Sequence, residues 1–148
     1  DVEHKQPIEL FEELYEMQNN QPMNEEQLDY IFRLKTGALI EAAFMAGGII
    51  AGCDENVTKL LEKTGYNIGF AFQIKDDILD VTSTQEVLGK PVLSDERNNK
   101  TTYVTLYGME KAEKDTADMS VKALETLKTI GHNEYLEDLI TMLIHRDR

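Results

Sequence analysis

The chain has 148 residues, of which 41% are hydrophobic and 29% charged, a composition typical of one folded domain rather than of a disordered segment. Its formal net charge of −13 argues against a surface that binds nucleic acid or anionic membranes, because both attract basic proteins. The longest apolar run, residues 42–53, is shorter than the roughly 20 residues of a transmembrane helix. The single Cys53 excludes an internal disulfide and is expected to be a small buried hydrophobic residue.

Hydrophobic residues recur with a helical period in almost every segment, which predicts an all-α fold. A first amphipathic helix begins at Pro7, and the NNQP run at 19–22 ends it. Asn24 and Gln27 form a capping-box pattern for a second helix, in which Gly47–Gly48 is expected to introduce a kink or an end. The apolar face of that helix is predicted to carry Leu28, Ile31, Phe32, Leu39, Ala42, Ala43 and Ala46. Small residues on the same helix are expected to permit close helix packing; they are Gly37, Ala38, Gly47 and Gly48.

A third helix is predicted from Val57 to Thr82, capped by Asp54 or Asn56, and the glycines at 65 and 69 could interrupt it. Residues 83–100 have the glycine, proline and asparagine content of a loop. Three further helices are expected: a short one ending at Gly108, an amphipathic one ending at Gly131, and a last one that Asn133 caps and that runs through Ile144. The sequence therefore predicts a single all-α bundle without a domain linker.

One stretch of the third helix, FAFQIKDDILD, combines apolar residues with three carboxylates. Gln73, Asp76, Asp77 and Asp80 occupy positions i, i+3, i+4 and i+7, so they share an arc about 100° wide. Apolar side chains flank this arc on both sides. This pattern predicts a polar slot that faces a cavity or cleft.

The three carboxylates of this slot should repel one another by roughly 3 kcal/mol per pair at an effective dielectric constant near 20. No lysine or arginine lies one turn away on the same face, and Lys75 points to the opposite side of the helix. A hard divalent cation such as Mg²⁺ would neutralise them through carboxylate oxygens. The alternative interpretation is an exposed acidic patch on an acidic protein.

Three lysines favour the metal interpretation. Lys35 falls within the predicted apolar face of the second helix, where a cation is unfavourable unless its side chain extends to solvent or meets an anion. Thr36 next to it is a neutral hydrogen-bonding group. Lys90 lies in the loop, and Lys100 precedes the short helix, whose free N–H groups could bind an anion. Carboxylates that attract a metal and lysines that attract an anion together predict a metal–diphosphate site.

Four segments together resemble the trans-isoprenyl diphosphate synthases of bacterial type, which include the farnesyl and geranylgeranyl diphosphate synthases. They are KTGALI (Lys35–Ile40), GFAFQIKDDILDV (Gly69–Val81), GK (Gly89–Lys90) and SDERNNKTTYV (Ser94–Val104). Their order and spacing match the C-terminal half of that family. The resemblance implies the all-α isoprenoid synthase fold and a head-to-tail 1′-4 condensation of isopentenyl diphosphate with an allylic diphosphate.

The resemblance also implies roles for individual residues. Asp76, Asp77 and Asp80 match the second aspartate-rich motif, in which Asp76 most directly, with Asp80, holds Mg²⁺ against the allylic diphosphate. Thr36 and Gln73 match polar groups near the reacting carbon. The lysines that would contact the diphosphate are Lys35, Lys90 and Lys100, and the aromatic residue beside isopentenyl diphosphate would be Phe72.

Two departures from the family pattern limit the comparison. The first aspartate-rich motif is not present in these 148 residues, so residues 1–148 are expected to be the C-terminal part of one synthase domain and to be inactive alone. Leu93 stands where the family's GKxxGxD motif has a glycine. A noncatalytic subunit of a heteromeric synthase and a terpene cyclase are the alternatives, and the resemblance further implies a cytoplasmic homodimer.

Overall fold

A computed structural model describes residues 23–82 and 101–146. These ranges contain no strand, which confirms the all-α prediction, and within them every helix is too short or too polar to be a membrane-spanning segment. The helix predicted from Pro7 and the loop predicted at 83–100 lie outside the described residues. The elements are α1 (Glu25–Phe32), a π-helix (Arg33–Gly37), α2 (Ala38–Ile50), α3 (Glu55–Thr82), α4 (Tyr103–Tyr107), α5 (Met109–Ile130) and α6 (Glu134–His145).

The helix ends agree closely with the predicted capping residues. Asn24 and Gln27 form a reciprocal capping box at α1, with N···O distances of 2.9 and 3.1 Å. Asp54 caps α3 by accepting a hydrogen bond from a backbone amide at 2.9 Å, and Asn133 caps α6 at 3.1 Å. Gly131 follows the last residue of α5, as the sequence predicts. These contacts join residues three positions apart and can therefore be predicted from sequence.

The central helix of the bundle is α3, which packs against α2 on one side and against α5 on another. One apolar cluster surrounds the aromatic rings of Phe32, Phe70 and Tyr103, whose centroids are 5.3 to 6.2 Å apart. A second cluster joins α3 to α5 and α6 around Ile68 and Ile140. A helix buried on most of its surface must accommodate its polar side chains inside the protein.

The predicted interruption of α3 at its glycines is wrong, because α3 continues unbroken through both. A Cβ atom at Gly69 would lie 2.7 Å from the Cα atom of Gly37, and one at Gly65 would lie 2.7 Å from the Cα atom of Glu41. The glycines of α3 therefore allow its backbone to touch the π-helix and α2. The close approach predicted for Gly37 is confirmed.

The predicted kink at Gly47–Gly48 is also wrong, since α2 continues to Ile50. A Cβ atom at Gly48 would collide with the side chain of Leu61 in α3, whereas one at Gly47 would have no neighbour within 4 Å among the described residues. Packing against α3 therefore keeps this part of α2 helical despite the low helix propensity of glycine.

The π-helix changes which face of α2 is buried. Phe32 and Gly37, which are five residues apart, are both buried, and the buried side then continues along α2 to Gly48. The wider π-turn adds one residue, so the buried positions shift by one relative to an uninterrupted α-helix. The predicted apolar face was therefore correct in α1 and wrong beyond it, where the exposed residues are Leu39, Ala42, Ala43 and Ala46.

We expect Gly69→Ala to lower the free energy of unfolding by about 2 kcal/mol, because the new methyl group would press against the backbone at Gly37. Gly47→Ala is the matched control, because its methyl group has open space and a better helix former replaces glycine. It should raise the free energy of unfolding by about 0.5–1 kcal/mol. Urea denaturation followed by circular dichroism measures the free energy of unfolding of both variants. Equal changes in the two variants would contradict the close contact between Gly69 and Gly37.

Candidate functional site

The three aspartates of α3 lie in different environments. The side chain of Asp76 is 50% exposed, whereas Asp77 and Asp80 are buried. Gln73, one turn before them, is also buried. The predicted polar slot therefore exists, but one of its carboxylates lies at the surface and the others are enclosed by neighbouring helices.

Asp77 stabilises the first turn of α4. Its Oδ2 atom accepts a buried hydrogen bond from the backbone N–H of Tyr103, the first residue of α4, at 2.6 Å. Thr102 and Thr105 form a reciprocal capping box at the same end. The N–H group of Tyr103 is therefore not free, because a carboxylate of the protein already binds it.

Two tyrosines hold α4 against α5. The Tyr103 hydroxyl donates a hydrogen bond to Asp115 at 2.6 Å, and the Lys111 ammonium lies 5.0 Å from the ring centroid of Tyr107. Burial raises the pKa of Tyr103, and the hydrogen bond to Asp115 is the second largest cause of the increase. Burial acts to raise the pKa of Asp115, but hydrogen bonds from Lys111 and Tyr103 outweigh it and the pKa is lowered. This anchoring keeps the Tyr103 amide in place beside Asp77.

Gln73 fastens the π-helix to α3. Its side-chain amide donates a hydrogen bond to the carbonyl oxygen of Phe32, the residue just before the π-helix. Since a carbonyl oxygen can only accept, this contact also fixes which end of the amide faces Phe32. The side-chain oxygen of Gln73 therefore points away from Phe32.

Lys35 and Thr36 lie within the π-helix, and the structure changes the argument made for Lys35. Lys35 is exposed and Thr36 is half-buried, so Lys35 is not a buried cation within an apolar face. The π-turn rotates it outward. The π-helix lies against the part of α3 between Gly69 and Gln73, which precedes Asp76 along α3.

Arg146, which follows α6, is the site residue that sequence reasoning missed. Its guanidinium forms an ion pair with Asp76 and lies 3.9 Å from the ring centroid of Phe72. The cation that neutralises Asp76 therefore comes from beyond α6 and not from a neighbouring turn of α3. The two residues are 70 positions apart, so helical spacing holds no signal of the contact. Lys90 and Lys100 lie outside the described residues.

A cavity of about 550 Å³ lies at the other end of α3. It is lined mainly by small and apolar side chains of α2, α3 and the α5–α6 turn, and half-buried Cys53 is among them. Leu61, which also lines it, is 15 residues before Asp76, or about 22 Å along the helix. The aspartates therefore do not face this cavity.

Comparison with known proteins decides the family. The polyprenyl synthetase model matches residues 4–141. The chain belongs to the polyprenyl synthetase family. This confirms the resemblance to the isoprenyl diphosphate synthases, and the solved synthases with the same helical arrangement confirm the isoprenoid synthase fold.

Three individual proteins illustrate the similarity. The chain is 41% identical to farnesyl diphosphate synthase of Micrococcus luteus over 123 residues, which are 82% of this chain and 42% of that protein. It is 35% identical to geranylfarnesyl diphosphate synthase of Aeropyrum pernix over 146 residues, covering 90% of this chain and 46% of that one. A solved geranyltransferase from Helicobacter pylori, complexed with magnesium and isoprenyl diphosphate, has a TM-score of 0.68 and 31% identity over 88% of this chain and 42% of its own. The chain thus spans less than half of each.

The donor atoms of this polyprenyl synthetase chain fit Mg²⁺ in a restricted way. No group of three or more histidine, cysteine or acidic side chains in residues 23–82 and 101–146 is arranged to hold a metal ion. Asp76, however, offers a half-exposed carboxylate that already has a cation beside it. Mg²⁺ commonly uses one or two protein carboxylates together with substrate phosphates and water. Asp76 therefore fits a Mg²⁺ ion that takes part of its coordination from the protein and the rest from a bound phosphate ligand and water.

We expect Asp77→Ala to lower the free energy of unfolding by about 2 kcal/mol, because the buried Tyr103 amide would lose its acceptor. Asp76→Ala on the same helix is the matched control and should cost less than about 1 kcal/mol, since this ion pair is partly exposed. Denaturant titration of both variants tests whether Asp77 contributes more to stability than Asp76 does. A larger loss for Asp76→Ala would show that the roles are reversed.

Proposed function

We propose that the protein is a Mg²⁺-dependent prenyltransferase that condenses isopentenyl diphosphate with an allylic diphosphate, head to tail, to form a polyprenyl diphosphate such as farnesyl or geranylgeranyl diphosphate. The observation that carries the proposal is the half-exposed Asp76 of a DDxxD segment whose other aspartates are buried. The farnesyl and geranylfarnesyl diphosphate synthases among its relatives support the substrate class.

Asp76 is the residue that we assign to the metal, with Asp80 as the second carboxylate four residues on. When bound, Mg²⁺ would supply positive charge that stabilises the departing diphosphate. The similar Helicobacter pylori geranyltransferase is complexed with magnesium and isoprenyl diphosphate, which supports the choice of these two ligands. Asp77 contributes indirectly, because its hydrogen bond to Tyr103 positions α4 beside the motif.

Lysines would balance the remaining charge of the diphosphate. Lys35 is exposed on the π-helix, so its ammonium can reach a ligand without first breaking a buried contact. Lys90 and Lys100 are assigned the same role by the family motif alone. Electrostatic stabilisation of a leaving group needs no protein nucleophile.

The neutral groups near Lys35 would face the reacting carbon. The amide nitrogen of Gln73 is engaged by Phe32, which makes its side-chain oxygen the atom that we assign to the developing allylic cation. Thr36, half-buried on the π-helix, would add its hydroxyl oxygen. Phe72 would provide an aromatic face for isopentenyl diphosphate.

We further propose that the protein is a homodimer and that the exposed side of α2 contributes to the interface. This side of α2 carries Leu39, 72% exposed, and Ile50, 87% exposed, next to small residues that permit close approach. An apolar helix face of this kind is typical of a surface that another element covers.

In the complete gene product, we expect Asp76→Ala and Lys100→Ala each to reduce prenyl transfer by about 10²- to 10³-fold, because each removes a charge that stabilises the leaving diphosphate. Asp118→Ala and Lys114→Ala are matched controls, because they form an exposed ion pair on α5. Product formation from isopentenyl and allylic diphosphates is the measurement, and product chromatography also gives the chain length. Wild-type rates in both site variants would refute the proposed function.

For the interface, we expect Ile50→Glu to shift the complete gene product from dimer to monomer in sedimentation velocity, because a buried carboxylate would lie between the subunits. Val121→Glu, at a position 52% exposed on α5, is the control and should leave the mass unchanged. A dimer that persists in Ile50→Glu would place the interface elsewhere.

A further inference from the structure

Arg146 joins two residues of α3 that lie one helical turn apart. Its guanidinium pairs with the Oδ1 atom of Asp76 and covers the face of the Phe72 ring. Its Nη2 atom also lies 3.4 Å from the carbonyl oxygen of Phe72. Arg146 thus covers both the carboxylate that we assign to the metal and the aromatic ring that we assign to a substrate.

The guanidinium is only partly satisfied in this position. The side chain of Arg146 is 20% exposed, and its buried Nε atom has no acceptor among the described residues. A buried N–H without a partner is unfavourable, so the ion pair with Asp76 and the ring contact hold the guanidinium in place at some energetic cost. The Arg146 guanidinium can therefore leave Asp76 when a ligand offers it more favourable hydrogen bonds.

A metal ion at Asp76 would meet this guanidinium directly. Mg²⁺ would need the carboxylate that Arg146 already neutralises, and two cations a few ångströms apart repel each other strongly. The repulsion falls when an anion carrying several negative charges lies beside both cations. A diphosphate is such an anion.

We propose that Arg146 is the internal counter-cation of Asp76 and that it keeps the affinity of this carboxylate for Mg²⁺ low until a diphosphate is present. The inference rests on the proposed metal role of Asp76 and adds that binding of metal and binding of diphosphate are coupled through Arg146. The coupling is reciprocal, because each ligand must change the affinity of the other by the same factor.

The experiment measures binding of Mn²⁺, a paramagnetic substitute for Mg²⁺, to the complete gene product by electron paramagnetic resonance, with and without inorganic diphosphate. Without diphosphate, we expect Arg146→Gln to bind Mn²⁺ about three- to ten-fold more tightly than the wild type, because the competing charge is gone. With diphosphate, the difference should shrink to less than about two-fold. Arg146→Lys keeps the charge and should stay near the wild type.

Lys114→Gln is the matched control, since it removes one positive charge from an exposed ion pair on another helix. If it tightens Mn²⁺ binding as much as Arg146→Gln does, the effect is one of net charge and the proposal is wrong. Equal Mn²⁺ affinities of the wild type and Arg146→Gln, or no Mn²⁺ binding by any variant, would also overturn it. Arg146→Met, which retains an apolar stem against Phe72, replaces Arg146→Gln if that variant does not fold.

The same measurements separate this inference from the proposed function. If Asp76→Ala abolishes prenyl transfer while Arg146→Gln leaves Mn²⁺ affinity unchanged, the function stands and the role of Arg146 is refuted. If Asp76→Ala affects neither Mn²⁺ binding nor prenyl transfer, the metal assignment itself fails.

Discussion

The contact on which the site depends is the close approach of two backbones, where Gly37 of the π-helix meets Gly69 of α3. Because Gly69 has no Cβ atom, the two segments approach closely there, and four residues further along α3 the Gln73 amide reaches the carbonyl oxygen of Phe32. That hydrogen bond lies at the N-terminal border of the π-helix, whose wide turn carries Lys35 and Thr36. A larger side chain at Gly69 would push the π-helix away from α3, whereas a Cβ atom at Gly37 would lie 2.8 Å from the carbonyl oxygen of Phe32, which accepts the Gln73 hydrogen bond.

Burial of α3 explains why its three aspartates differ. Three like charges in one low-dielectric environment would be strongly unfavourable, so each carboxylate has to be stabilised in its own way. Asp77 accepts a backbone hydrogen bond from α4, and Asp76 remains half-exposed with a guanidinium beside it. Within the motif, Asp77 therefore supports the fold, Asp76 is the half-exposed carboxylate, and Asp80 is buried one turn further along α3.

Local features of this chain could be predicted because the contacts behind them span three or four residues. The capping box at Asn24 and the caps at Asp54 and Asn133 belong to this class. The aspartate stripe follows from helical spacing, and its resemblance to a synthase motif identified the family. The helix breaks predicted at glycines 47, 48, 65 and 69 were wrong, because sequence alone does not show whether a glycine breaks a helix or allows a neighbouring helix to approach.

By itself, the sequence determined the all-α class, most helix ends, the family and the spacing of the aspartates on one side of α3. Only the tertiary structure decided that α2 turns a different face inward, that Asp77 binds the Tyr103 amide and that Arg146 reaches Asp76. The separations involved are 26 residues for Asp77 and Tyr103 and 70 for Asp76 and Arg146. Helical periodicity describes neighbours within about two turns, whereas these contacts depend on how whole helices pack, and a single added residue in the π-turn was enough to change the outcome.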